Sequence, residues 1–171
     1  MKISTKGGDT GKTSLMFGKR VSKSCQRVRT YGMVDELSAA IAMARAFAND
    51  DNLAKQLLCI QENLVLLMTE LATAKEDFQK LTQKNIKLLD DTNLNEIETK
   101  IEEIESKGNI FNGWKHAGDT TLSAALDMAR VKCRATEREI VALNEEEGLA
   151  RDFPLVYINR LSDYIYLLSI N

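Results

Sequence analysis

Proline is nearly missing from this sequence: Pro154 is the only one in 171 residues. With so few backbone breaks, long helices can run uninterrupted. Histidine is as scarce, with His116 alone. The three cysteines, Cys25, Cys59 and Cys133, are widely spaced and odd in number. That excludes a disulfide framework and a Cys/His zinc site, and suits free thiols in a reducing compartment. No apolar run approaches the roughly 18 residues of a membrane-spanning helix, and no apolar signal core follows Met1. The expectation is therefore a cytoplasmic protein with no membrane role. There is also no excess of positive charge, since the formal net charge is −2. Nothing in the overall field draws the chain to nucleic acid or anionic lipid.

What is present is ordinary globular composition, 44% hydrophobic and 28% charged, at a length that suits one domain spanning 1–171. Its most unusual stretch is Thr5-Lys6-Gly7-Gly8-Asp9-Thr10-Gly11-Lys12-Thr13-Ser14-Leu15. Glycines let several backbone N–H groups converge on one ligand, and lysines and hydroxyls add donors. A nucleotide P-loop would need a glycine where Lys6 stands. The stretch reads either as a phosphate cradle of another kind or as a loose terminus. Arg20, Lys23, Arg27 and Arg29 follow as a local basic cluster, either an anion site or a solvated surface. Residues 1–30 read as an ordered N-terminal loop segment laid on the remainder, and 31–171 as a helical bundle.

Helical periodicity dominates the remainder. Val34, Leu37, Ile41 and Ala44 mark a first helix over about 34–47. Leu53, Leu57, Ile60, Leu64, Leu67 and Leu71 mark a second, with Asp50 or Asp51 as its cap. Residues 76–92 read as a broken helix ended by the 90–93 polar cluster. Leu94, Ile97, Ile101 and Ile104 form a third helix. Leu122, Leu126, Ala129, Cys133, Thr136, Ile140 and Leu143 form a fourth. A fifth begins after Asp152, with Ile158, Leu161, Ile165 and Leu168 inward and Asn159, Ser162, Asp163 and Tyr166 as a polar strip. No period-two pattern persists, so the fold expected is all-α, an antiparallel five-helix bundle with an ordered N-terminal loop segment.

On the fourth helix Arg130, Arg134 and Arg138 lie in one stripe beside the apolar seam, with Asp127. They are either a surface ladder paired with glutamates such as Glu137 or a set of guanidinium forks for phosphate oxygens. Asp35 or Glu36 could orient one of them.

Four segments together resemble the ATP:cob(I)alamin adenosyltransferases of the trimeric helical-bundle type. They are the 5–15 loop; Tyr31-Gly32-Met33-Val34-Asp35-Glu36-Leu37-Ser38; Ala129-Arg130-Val131-Lys132-Cys133-Arg134-Ala135-Thr136-Glu137-Arg138; and Tyr157-Ile158-Asn159-Arg160-Leu161-Ser162-Asp163. The resemblance implies transfer of the 5′-deoxyadenosyl group of ATP to Co(I) of cob(I)alamin, with release of triphosphate and assistance from Mg²⁺. By the same resemblance Thr5, Lys6, Gly8, Asp9, Gly11, Lys12 and Thr13 cradle the phosphates. Arg134, Glu137, Arg138 and Asn159 complete the ATP site, and Asp35, Arg134 and Arg138 carry the catalytic burden. Asp35 pairs with Arg134 across a subunit boundary of a homotrimer, a reductase supplies the electron, and no protein-held metal is required. Trp114 or Phe111 supplies apolar surface beside the corrin. The chain departs from the family's pattern at 114–119, which lacks the usual proline and second glycine. It also carries Asp127 in place of a histidine and Ala135 in place of an arginine. Those departures keep open a non-catalytic ATP- or corrinoid-binding relative acting as carrier, sensor or assembly partner. A ligand-free helical interaction module is the third reading.

Overall fold

The protein is described by a computed structural model covering residues 6–108, 113 and 116–170. Its frame is five long helices: α1 Gln26–Ala46, α2 Asp51–Leu71, α4 Asp91–Glu105, α5 Thr121–Glu147 and α6 Phe153–Ile170. The broken segment expected at 76–92 contains one short helix, α3 Gln79–Gln83, preceded by a single tight turn. Local chemistry starts the helices where the caps predict. The Asp50 side chain accepts from the backbone N–H of Asn52 and Leu53. Asp90 with Asn93, and Thr120 with Ser123, form reciprocal capping boxes. Gly148, at φ 75°, ends α5 in a backbone conformation that side chains resist.

The helices pack in the order α2, α1, α5, α6, with α4 against α6. The α1 and α5 axes run antiparallel. Thr30 Oγ1 donates to the Glu139 carbonyl near one end, and Lys132 pairs with Glu36 further along. Leu37, Ile41, Leu64, Leu67, Ile140 and Tyr157 are fully buried where these faces meet. Burial of a side chain of this kind stabilises by about 1.5–3 kcal/mol, so the seam outweighs helix propensity as the source of helical order.

Three features differ from the sequence expectation. First, α1 begins at Gln26 rather than near 34, so Arg27 and Arg29 belong to the helix and not to the loop. Its first turns bury polar side chains. Gln26 donates to the Glu139 carbonyl and carboxylate, and Arg27 is 3% exposed. Second, the N-terminal segment contains a hairpin. β1 Lys12–Ser14 pairs antiparallel with β2 Arg20–Ser22, Thr13 opposite Val21, around a turn at Phe17 and Gly18. Third, Ser162 is buried rather than part of a polar strip.

Candidate active site

The glycine-rich stretch is pinned rather than loose. Within it the Asp9 N–H donates to the Lys6 carbonyl and the Gly11 N–H to the Gly8 carbonyl, at 3.3 and 3.2 Å. Arg20 donates from Nη2 to the Gly7 carbonyl at 2.8 Å and from Nη1 to Ser14 Oγ at 3.3 Å. The Lys23 N–H donates to the Gly11 carbonyl at 2.9 Å. The hairpin is then fastened to the bundle: Leu15 is buried, the Met16 N–H donates to the Ala72 carbonyl, and Lys19 pairs with Glu76. The Tyr31 phenol lies beside the Thr13 side chain, and burial pushes its pKa up.

This arrangement presents cations along the loop. Lys6 and Lys12 are exposed with Asp9 and Gly11, and Thr13 is half-buried. Thr5 lies outside the described residues. Lys23 adds a cation that the sequence showed only as one of a basic cluster. Its ammonium stands 2.8 Å from where a Cβ on Gly8 would sit. Gly8 therefore admits the lysine head against the loop backbone, and a larger residue would displace it. Arg20 is a positioning residue, holding the Gly7 carbonyl. Arg27 is neither a loop cation nor a solvated one. Its guanidinium is spent on Glu147 and on the carbonyls of Leu71 and Thr73.

The arginine stripe on α5 is divided by its neighbours. Arg130 donates from Nε to Asp127 Oδ1 at 2.7 Å and lies over the Tyr166 ring. Arg134 and Arg138 are exposed and make no ion pair or hydrogen bond among the described residues. Glu137, expected as a local partner for Arg134, instead accepts from Asn159 Nδ2 of α6 at 2.9 Å. Four of the anticipated residues thus gather on the α5–α6 side: two uncommitted guanidinium groups beside a carboxylate–carboxamide pair. Asp35 is exposed on α1 and has no partner among the described residues, because the neighbouring Glu36 takes Lys132. Cys133 faces the core under this surface; its thiol donates to the Ile158 carbonyl, and burial pushes its pKa well up.

Further along the same helices a cavity of about 580 Å³ opens between the start of α5 and the end of α6. Leu122, Leu126 and Leu168 give it an apolar wall; Asp127, Tyr166 and His116 give it polar atoms. Seven residues of helical rise separate Asp127 from Arg134, about 10 Å along the axis. Cavity and arginines therefore share one side of the molecule. Phe111 and Trp114 lie outside the described residues.

The hairpin loop sits elsewhere. It is fixed to α1 and α2 through Tyr31 and Ala72, whereas the free arginines lie on the α5–α6 side. Within one chain the two phosphate-directed halves face different neighbours. Among the described residues no cluster of three His, Cys, Asp or Glu side chains forms a metal site.

The family pattern described as cobalamin adenosyltransferase matches residues 3–171. The chain is 34% identical over 169 residues to the corrinoid adenosyltransferase PduO of Salmonella typhimurium, covering 99% of this chain and 49% of that protein. It therefore spans about half the length of that relative. It is also 34% identical over 172 residues to the corrinoid adenosyltransferase of Bacillus subtilis, covering 97% of this chain and 83% of that protein. Among solved structures it is similar to a phenylalanine-to-alanine variant of the PduO-type ATP:corrinoid adenosyltransferase of Lactobacillus reuteri complexed with cobalamin and ATP. There the TM-score is 0.86 and the identity 30%, over 99% of this chain and 92% of that one.

Proposed function

The chain belongs to the cobalamin adenosyltransferase family, and from that premise we propose that it moves the 5′-deoxyadenosyl group of ATP to the cobalt of a corrinoid. The Co(I) electron pair attacks the 5′ carbon. The bond from that carbon to the triphosphate oxygen breaks, and triphosphate leaves with the bonding pair. Cobalt ends as alkylated Co(III), so both electrons of the new bond come from the metal; the alkylated corrinoid leaves as product, and a separate reductase supplies the electron that makes Co(I) from Co(II) in each incoming corrinoid. The protein forms no covalent intermediate. It aligns the reactants and neutralises the charge that develops on the leaving group.

The observation that carries this reading is the pair of uncommitted guanidinium groups, Arg134 and Arg138, beside Glu137 and Asn159 and one helix segment from the α5–α6 cavity. Arginine forks suit phosphate oxygens, and the cavity suits the corrin. Thr5, Lys6, Gly8, Asp9, Gly11, Lys12, Thr13 and Lys23 supply the second phosphate-binding half. Mg²⁺ would supply charge neutralisation of the triphosphate, and Glu137, which accepts from Asn159, would be the carboxylate of this group to help hold it. Phe111 and Trp114 are assigned to the corrin side.

We assign the complete site to the boundary between copies of a cytoplasmic homotrimer. Two observations support this. The loop half and the arginine half face different sides of one chain. The outer α1–α5 face also exposes Met43, Met128 and Val131 by 55%, 53% and 47%, apolar area of the kind that oligomers cover. Asp35 then meets Arg134 of the next copy. The test of the activity is direct. Protein, ATP and chemically reduced cobalamin are mixed without oxygen, and the cobalt–carbon product is followed optically. Absence of both product and triphosphate under these conditions overturns the assignment.

A further inference from the structure

The hairpin that carries the phosphate loop does not close fully on the bundle. Behind it opens a cavity of about 360 Å³, whose walls include Leu15 and Val21 of the hairpin, Cys25 before α1 and Ala74 beyond α2. The position of β1 and β2 therefore depends on what fastens their turn. Three fastenings reach one stretch of chain, 72–84. The Met16 N–H donates to the Ala72 carbonyl at 2.9 Å, and Lys19 pairs with Glu76. The third is the half-buried Phe17 ring. Two ammonium groups stand over it, Lys80 Nζ at 5.7 Å and Lys84 Nζ at 5.6 Å from its centroid. Lys80 belongs to α3, and Lys84 is the residue that ends it.

Phe17 stands at φ 65° and ψ 13°, in the left-handed region that a bulky side chain resists and glycine enters freely. A large residue kept there is held by its surroundings. The two lysines supply that hold, because a cation over an aromatic face is attracted by the ring's quadrupole. Lys80 is itself fixed, its ammonium lying 2.6 Å from Asp77 Oδ1.

We propose that Phe17 is a positioning residue for ATP: its ring, clasped by Lys80 and Lys84, holds the hairpin where Lys12, Thr13 and Lys23 meet the triphosphate. Phe17 acts through the hairpin backbone. Lys12 and Thr13 are in β1, and Lys23 follows β2 directly, its N–H donating to the Gly11 carbonyl. A turn that moves has to be ordered when ATP binds, and that cost lowers affinity. The inference rests on the loop being a phosphate-binding half. It gives α3 a task outside the frame of long helices.

Phe17→Gly separates positioning from folding, because glycine removes the ring and favours the same φ. ATP binding to the full chain is followed by calorimetric titration, and stability by the apo melt. The variant should bind ATP about fivefold more weakly, the scale of two exposed cation–π contacts. Its apo Tm should stay within about 2 °C of the parent. Phe17→Tyr, which keeps an aromatic face, should bind ATP within about twofold of the parent. Lys80→Gln and Lys84→Gln should each weaken ATP by about twofold, and should change nothing further in the Phe17→Gly background. Parent-like ATP affinity in Phe17→Gly overturns the proposal. Lysine variants that weaken ATP equally in both backgrounds also overturn it, since they then act by charge and not through the ring. A parent that binds no ATP overturns the phosphate-loop reading beneath it, a distinct and separately visible result.

Discussion

Arg27→Met is the perturbation that best separates a structural cation from a phosphate ligand. Arg27 is 3% exposed and ties three helices together. It donates to Glu147 of α5 at 2.8 Å and to the carbonyls of Leu71 and Thr73, at the end of α2, at 3.0 and 2.8 Å. Methionine keeps most of the apolar stem and removes every donor. Glu147 is 35% exposed and can turn to water, so its share of the loss is small. The Leu71 and Thr73 carbonyls lie where the arginine sealed them, and an unsatisfied buried acceptor costs about 1–3 kcal/mol. The sum is about 3 kcal/mol, at the low end of about 3–5 for a broken buried pair. For a domain of this size that lowers Tm by about 6–12 °C. Circular-dichroism melts of parent and variant at equal protomer concentration, with and without ATP, provide the measurement. The apo melt should fall by that amount, while saturating ATP still raises Tm in both proteins. An apo Tm within about 2 °C of the parent, combined with loss of the ATP-induced rise, would refute the reasoning and return Arg27 to the phosphate loop.

Three further outcomes are expected. Gly8→Ala forces the Lys23 ammonium off the loop, so ATP affinity should fall by about tenfold, the scale of one charge-assisted contact, with the apo melt unchanged; Lys23→Ala should do the same, and the double variant no worse, by calorimetric titration. Asp35→Ala and Arg134→Ala should each lower turnover, with the double variant losing far less than the sum; additivity within about 0.3–0.5 kcal/mol in a double-mutant cycle would dismiss their contact. Stability should fall at alkaline pH. Burial raises the Cys133 thiol above its ordinary 9.0 and the Tyr157 and Tyr164 phenols above 10.0. The native state then holds protons that the unfolded chain releases. The contribution is complete below pH 9 and is lost as pH climbs beyond it; a urea midpoint that stays level from pH 8 to about 11 would contradict this.

The apolar seams were legible because burial repeats at helical spacing. Leu57, Ile60, Leu64 and Leu67 on α2, and Ala129, Cys133, Thr136 and Ile140 on α5, are buried as that spacing requires. The start of α1 was not, since its inward positions are Gln26, Arg27 and Thr30, which bond to one another, to α5 and to the end of α2 instead of forming an apolar pattern. The hairpin escaped for a different reason. Each strand has three residues, of which only the middle one is half-buried, so no alternation can accumulate. At the candidate site the chemistry of the arginine stripe could be read from residue types. Arg130's pairing with Asp127, three residues before it, is of the kind that spacing encodes, whereas its contact with the Tyr166 ring of α6, and the diversion of Glu137 to Asn159, are made between helices and could not be read. Lys23 over Gly8 is likewise a contact made across the loop, and spacing alone does not encode it.

The loop half is fastened to the end of α2 and the arginine half stands on α5 beside α6, and if the site forms between copies this has a genetic meaning. A chain crippled in the hairpin keeps sound arginines, and a chain crippled at Arg134 keeps a sound hairpin. On the proposed ring assembly, neither would form a working site with its own kind, whereas in a ring assembled from both, a boundary that joins the sound hairpin of one to the sound arginines of the next would be whole. Random assembly from equal amounts makes about one boundary in four of this type. Two inactive alleles expressed together would then restore part of the activity that neither has alone, whereas sites contained within single chains would remain silent in every mixture.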